Sequence, residues 1–297
     1  SSVELQTVVD TWQRKHEVLG ISVSLASPLE GRIDVASGHA NLEQPLTPNT
    51  PMYVGSIVKS FVAVATLQLG DEGTLQLNDT LDRWYPDFPN AAQITIAHLL
   101  SMTSGSYDYI RNAADNAFLP LVLADVSRQW QADEIINTVA EFEPVAAPGT
   151  SYNYSNTNYL MLGEIIAEIT GQPLAEVLRT RVFTVLGLED SYLAGTQPHR
   201  DDVAHGYLRG SAFLFGQAEP MLASASDYAG LETVFGSAGN LVSTSHDLAT
   251  WLMAVTRGDV LSPAMTYVML APTDISLHTN AGYGYGLEWV DTSYGQA

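Results

Sequence analysis

Lysine occurs at only two positions, Lys15 and Lys59, and the second stands inside Val54-Gly-Ser-Ile-Val-Lys-Ser-Phe-Val62, a predominantly apolar stretch where a surface lysine has no reason to be. A helix beginning at Ser56 would put Ser56 and Lys59 on one face, their Cβ atoms about 5–6 Å apart, close enough for a hydroxyl and an amine to share a proton. Desolvation in an apolar wall disfavours the ammonium, so such a lysine can act as a base. A helix N-terminus also favours negative charge developing at Ser56. This is the chemistry of a Ser–Lys nucleophile pair. Taken alone, Ser-x-x-Lys is better read as its commoner use, a helix N-cap followed by a lysine that snorkels to solvent.

A second cluster changes that balance. The segment from Pro148-Gly149-Thr150 to Tyr159 contains Tyr154-Ser155-Asn156. In an extended loop, residues two apart point the same way, so the Tyr154 phenol and the Asn156 amide would be presented together. A phenol near a lysine can relay a proton, and the Asn156 amide can donate to a substrate carbonyl while accepting from Lys59. Without Ser56 and Lys59, the same residues would read as a turn before a helix. The candidate catalytic set is therefore Ser56, Lys59, Tyr154 and Asn156.

Other chemistries find little support. There is no cysteine, which removes thiol nucleophiles, disulfides and Cys-ligated metals. The seven histidines show no metal-binding spacing, and His98, His205 and His246 read as structural. No Gly-x-Ser-x-Gly elbow, Walker A loop or dinucleotide fingerprint occurs; Gly282-Tyr-Gly-Tyr-Gly286 has the wrong spacing. No cofactor or metal is expected. Lys plus Arg total 12 against 33 Asp plus Glu, a net charge of −21. That charge repels phosphate backbones and anionic lipid, so nucleic acid and stable membrane insertion are not expected, and no apolar run is long enough to span a bilayer. The chain opens on Ser-Ser-Val-Glu rather than a basic and apolar leader, so export processing either has happened or is not needed.

The elements that must position these residues follow from periodicity. Its 297 residues, 46% hydrophobic and 15% charged, suit one large globular unit or two sharing a core. Val3 to His16 has helical spacing. Ile21–Leu25 and Arg32–Ser37 alternate as an antiparallel hairpin, and Ile57 to Leu69 is helical again. Shorter helices are predicted at Ile96–Ser101, Ala132–Phe142, Tyr159–Thr170, Leu174–Val182, His246–Arg257 and Pro263–Leu270, and Tyr283–Val290 reads as one strand entering a sheet. Strands, then many helices, then a strand predict an α+β architecture. A sheet domain of residues 1–75 and 235–297 would be interrupted by a mainly helical domain, 76–234.

At this point the chain resembles the serine β-lactamase and penicillin-binding family in its class C, low-molecular-weight carboxypeptidase branch. The resemblance covers nearly the whole length. It is carried by Tyr53-Val-Gly-Ser-Ile-Val-Lys-Ser-Phe61, Asp71-Glu-Gly73, Ile94 to Gly105, Tyr107-Asp-Tyr109 and Tyr154-Ser-Asn-Thr-Asn158. Further stretches are Leu162-Gly-Glu-Ile-Ile166, Gly236-Ser-Ala-Gly-Asn-Leu-Val-Ser-Thr244 and Tyr283-Gly-Tyr-Gly-Leu287. These look most like Streptomyces-type D-alanyl-D-alanine carboxypeptidases. The resemblance implies a β-lactamase/transpeptidase-like fold, an antiparallel sheet flanked by helices with an all-helical insertion. It also implies acylation at Ser56, proton handling by Lys59 and Tyr154 with the acylation base left open, and an Asn156 that orients the scissile amide. The Ser56 N–H would supply half of an oxyanion hole. Substrates would be a D-alanyl peptide, a β-lactam or an ester, and the protein would be periplasmic or extracellular.

Two departures are plain. The family's third motif, His or Lys, then Thr or Ser, then Gly, belongs after Tyr-Gly-x-Gly, and the chain ends at Ala297 before it; His278-Thr279-Asn280 precedes Tyr283 and reads as a loop. The sheet is therefore expected to be incomplete, and this chain alone to be inactive or poorly folded. Glu288 follows Gly286-Leu287 where some such carboxypeptidases carry a basic residue. Either it turns the site toward an esterase or D-amino-acid amidase, or it faces solvent and the third motif supplies the carboxylate contact. From a different class, a non-catalytic penicillin-recognising scaffold is the alternative.

Overall fold

Ser1 opens the chain with both halves of a capping box around Glu4, and α1 (Ser2–His16) carries Arg14, Lys15 and His16 in its last turn, where cations suit the helix dipole. This computed structural model describes residues 1–27, 31–111, 118–125, 127–196, 200, 202–208, 221–223, 229–273, 281–293 and 295–296. β1 (Gly20–Ser27) and β2 (Gly31–Gly38) form the expected antiparallel hairpin, with Val23 opposite Val35. After β3 (Met52–Gly55) comes α2 (Val58–Asp71), buried without interruption from Val58 to Leu67. A helix that is buried all round belongs at the centre of a fold, and α2 is the central helix here.

The middle of the chain supplies α3 (Ile96–Leu100), α4 (Phe118–Ala124), α5 (Ala132–Val139), α6 (Asn156–Thr170), α7 (Leu174–Leu178) and α8 (Thr184–Leu186). Short strands follow: β4 (Tyr192–Leu193), β5 (Gly206–Leu208) and β6 (Met221–Ala223). Then come α9 (Ala229–Gly239), β7 (Leu241–Ser243), α10 (Ser245–Arg257), α11 (Pro263–Leu270), β8 (Ala281–Tyr283), β9 (Glu288–Thr292) and β10 (Gly295–Gln296). One core joins α2, α6 and α9, with Phe61 stacked on Trp251 of α10 at 3.9 Å between centroids and the Trp251 indole N–H donating to Ser60 at 2.8 Å. The architecture is the α+β, β-lactamase/transpeptidase-like one that the sequence implied. Among the described residues, no helix is long and apolar enough to cross a membrane, and no group of three or more His, Cys, Asp or Glu could hold a metal ion.

Two features of the sheets matter for the site. β7 lies between β3 and β4, antiparallel to both, and the β3 register slips between Tyr53 and Gly55, leaving Val54 as the extra residue of a bulge. Bulges re-aim the chain, and this one delivers it into the turn that carries Ser56. The second feature corrects the sequence reading. Tyr283–Val290 is two strands, β8 and β9, paired with Tyr283 opposite Glu288 around a tight turn at Gly284–Leu287. Gly286 makes the turn, at φ 76°, and a Cβ there would stand 2.8 Å from both the Ala63 Cβ and the Lys59 carbonyl oxygen. The hairpin is thereby seated directly on α2 beneath the site.

Candidate active site

Ser56 is solvent-exposed at the exit of β3, whereas Lys59, a single turn further, is 1% exposed. The helix begins at Val58 rather than at Ser56. Hydrogen bonds from Ile57 N to Val54 O and from Lys59 N to Ser56 O form a tighter lead-in turn that still brings the two side chains onto one side. Tyr154 arrives in an extended segment and Asn156 is the first residue of α6, not part of the loop, with Ser155 as its cap. All four expected residues meet. Lys59 Nζ lies 3.0 Å from Ser56 Oγ and 2.9 Å from Asn156 Oδ1, and the Tyr154 hydroxyl lies 2.8 Å from Ser56 Oγ.

A third neighbour of the amine was not legible in the sequence: the Ala238 carbonyl oxygen, 2.5 Å from Nζ, just past a break in α9 at Gly236. Asn156 Oδ1 and the Ala238 oxygen can only accept. A neutral amine has two N–H groups and one lone pair, so with both N–H groups engaged by these acceptors the lone pair faces Ser56 Oγ. Burial is the main cause that pushes the Lys59 amine down to about 7; the Asp108 carboxylate opposes the shift and the Arg111 guanidinium adds to it. Burial moves the Tyr154 phenol upward, with the Ser56 hydrogen bond and Arg111 acting against it and Asp108 and Glu288 acting with it. At neutral pH the site thus holds an amine poised to accept a proton and a phenol that keeps its own.

Sequence reasoning also missed the group that orients Asn156. Asp108, 3% exposed, accepts from Asn156 Nδ2 through both carboxylate oxygens at 3.2 and 3.1 Å, and from the Asn156 N–H at 3.3 Å. A carboxylate cannot donate, so it forces the amide nitrogen toward itself and the amide oxygen toward Lys59. It also caps α6 from 48 residues upstream. The signal was available: a lone acidic residue in Ser-Gly-Ser-Tyr-Asp-Tyr-Ile110 is as out of place as Lys59 in its own apolar run.

Aromatic rings wall the site. Lys59 Nζ is 4.9 Å from the Tyr154 ring centroid and 5.8 Å from that of Tyr159, and Tyr283 meets Tyr154 edge-on at 6.5 Å. Glu288 is exposed at the start of β9, and its charge reaches both Tyr152 and Tyr154. His98 belongs to the α3 capping box, the His205 N–H donates to the Ala40 carbonyl, and His246 pairs with Asp34 at 2.9 Å; none is bonded to the four site residues. His278-Thr279-Asn280 lies outside the described residues.

An α+β fold of β-lactamase/transpeptidase type, with Ser, Lys, Tyr and Asn converging at the exit of a strand and the start of two helices, defines the class of protein. The chain belongs to the beta-lactamase family, whose model matches residues 5–297. It is 28% identical over 293 residues to penicillin-binding protein 4* of Bacillus subtilis, covering 96% of this chain and 62% of that protein. It is 30% identical over 209 residues to esterase EstB of Burkholderia gladioli, covering 67% of this chain and 53% of that one. The chain thus spans less than two thirds of the length of either relative. Among solved structures, D-amino acid amidase from Ochrobactrum anthropi complexed with D-phenylalanine superposes with a TM-score of 0.84 at 27% identity, over 98% of this chain and 81% of that one.

Proposed function

We propose that this protein is a serine acyl-transfer hydrolase that cleaves D-aminoacyl amide, peptide or ester bonds through a covalent ester on Ser56. The observation that carries the reading is the convergence of a buried amine and a neutral phenol on one exposed serine oxygen, at 3.0 and 2.8 Å. In this reading Lys59 is the acylation base. It takes the Ser56 proton, Oγ bonds to the substrate carbonyl carbon, and the bond from that carbon to the leaving nitrogen or oxygen breaks. The proton passes to the departing atom by way of Tyr154. Water then attacks the ester, releasing the acid and restoring the serine hydroxyl. Asn156, locked by Asp108, holds the acyl carbonyl in register.

The D configuration is supported by the likeness to a D-amino acid amidase. A D-alanyl-D-alanine carboxypeptidase is the same chemistry with a D-alanine leaving group, and the likeness to a penicillin-binding protein favours it. Work on such compounds outside the cytoplasm, in the periplasm or beyond the cell, belongs to the same proposal; the acidic balance of 33 to 12 and the absence of cysteine are compatible with it.

The test is intact mass after incubation of the protein, at its natural length, with benzylpenicillin and with D- and L-phenylalanine amide. We expect an acyl adduct that maps to Ser56 or turnover of the drug, ammonia release from the D amide in preference to the L form, and neither event in Ser56→Ala. Unchanged hydrolysis in Ser56→Ala, or no adduct and no turnover of any amide, peptide or ester in the parent protein, would overturn the reading.

A further inference from the structure

The chain has 12 cationic residues against 33 acidic ones, so a cation placed beside the candidate site is a scarce resource. Arg83, Arg128, Arg179, Arg181 and Arg200 are each paired with an acidic side chain. Arg111 is exposed and, like Arg14, Lys15, Arg32 and Arg257, makes no ion pair with an acidic side chain among the described residues; what sets it apart is its place beside the site. Its guanidinium carbon lies 4.3 Å from the ring centroid of Tyr154, the residue whose hydroxyl is 2.8 Å from Ser56 Oγ. Its backbone is fixed by the carboxylate that orients Asn156, because Asp108 Oδ1 accepts from the Ile110 N–H at 2.8 Å and the Arg111 N–H at 3.1 Å. One buried carboxylate therefore sets both the amide of the site and the base of the arginine beside it.

We propose that Arg111 is the anion anchor on the leaving-group side of the site, selecting substrates whose departing amine, alcohol or thiol carries a carboxylate or phosphate. The assignment rests on the hydrolase reading of Ser56. In that reading Tyr154 hands the proton to the departing atom, so a guanidinium over the Tyr154 ring lies beside the group that leaves. An aromatic face holds a guanidinium through its π-cloud, and the five N–H donors form the fork that matches an anion's paired oxygens. Glu288, whose charge also reaches Tyr154, repels an anion, and of the charged groups acting on Tyr154 among the described residues Arg111 is the one cation. This answers the missing basic residue after Gly286-Leu287: the cation enters from the loop after Tyr109 instead.

The experiment compares matched substrates. One pair is N-acetyl-D-alanyl thioglycolate and its methyl ester; the other is the D-alanyl ester of glycerol phosphate and that of glycerol. With the parent protein we expect kcat/KM to favour the charged member of at least one pair tenfold or more, mainly through KM. The pair with the larger ratio identifies carboxylate or phosphate. Arg111→Ala lowers both rates but brings the ratio to near one, and Arg111→Lys restores part of it. A ratio near one in the parent protein, or one unmoved by Arg111→Ala, overturns the anchor while leaving the hydrolase reading intact. Calorimetric binding of the first pair to Ser56→Ala, alone and combined with Arg111→Ala, separates the two claims. If the parent turns over nothing yet Ser56→Ala binds the free carboxylate tenfold more tightly in an Arg111-dependent way, the hydrolase reading fails and the anchor stands. If that binding also shows no Arg111-dependent difference, the anchor falls with it.

Discussion

At the scale of single residues, the site depends on how the protein controls one amine and one amide. Because burial holds Lys59 near 7, kcat/KM should rise with pH through about 7, as the ammonium loses its proton. Arg111→Ala removes a charge that pushes the amine down, so the acid limb of its pH–rate profile should move to higher pH; an unmoved limb would show that Lys59 is not the titrating base. Stability follows with a definite sign. The unfolded chain holds the lysine proton up to about 10.5 while the folded one releases it near 7, so the unfolded state binds more protons between those values and stability rises with pH across that window. Lys59→Met removes that dependence, and its unfolding free energy relative to the parent should be most favourable below pH 7 and should decline toward pH 10, as measured by urea unfolding at several pH values. Asp108→Asn tests the amide. An asparagine can donate as well as accept, so Asn156 loses the constraint that aims Oδ1 at Lys59. We expect kcat/KM to fall ~10²-fold, the scale of a misplaced catalytic group, together with a loss of about 1–3 kcal/mol in stability from buried donors left poorly matched.

At the scale of elements, the site is assembled from three junctions: the β3 exit into α2, the start of α6, and the turn between β8 and β9. The last can be tested through its glycine. Gly286→Ala meets both a positive φ and two atoms at 2.8 Å, whereas Gly73→Ala meets a positive φ of 73° with nothing within 4 Å. Gly73→Ala should therefore lose about 1 kcal/mol from backbone strain alone. Gly286→Ala should lose about 2–4 kcal/mol and also acylate Ser56 more slowly, because the hairpin must lift off α2 near Lys59. Equal losses with unchanged acylation would show that the hairpin does not support the site. These junctions also mark where sequence was and was not informative. The hairpin of β1 and β2 and the long helices announce themselves by period, Lys59 by being out of place, and Ser56, Tyr154 and Asn156 by the proton chemistry they could share with it. Helix starts do not: Ser56 looks like a cap, but a bulge at Val54 delays the helix by two residues. Asn156 looks like loop, but a carboxylate 48 residues away draws it into α6. Both outcomes depend on tertiary partners that local propensity does not encode. The alternation of Tyr and Gly in Tyr283–Gly286 mimics a strand, and only the contact with Ala63 and Lys59 reveals why the chain must turn there.

At the scale of the whole molecule, the net charge of −21 sets the field that a substrate meets before it reaches Arg111. Coulomb repulsion from such a surface slows the approach of anions and speeds that of cations, and salt weakens both effects once the Debye length falls from ~30 Å at 0.01 M to ~8 Å at 0.15 M. Local anchoring and global repulsion therefore oppose each other for the charged substrates that Arg111 selects. An exposed guanidinium a few ångströms from a bound carboxylate is screened less than charges spread over the surface, so salt should relieve the repulsion more than it weakens the anchor. We expect kcat/KM for an anionic thioester to increase severalfold between 10 and 150 mM salt, while a neutral thioester stays within about twofold. Arg111→Ala leaves the surface field almost intact and deletes the local cation that offsets it. Its residual activity on the anionic substrate should therefore show a steeper rise with salt than the parent protein. A fall in kcat/KM with salt for the anionic substrate would mean that the cation beside Tyr154, not the net charge, governs encounter as well as binding.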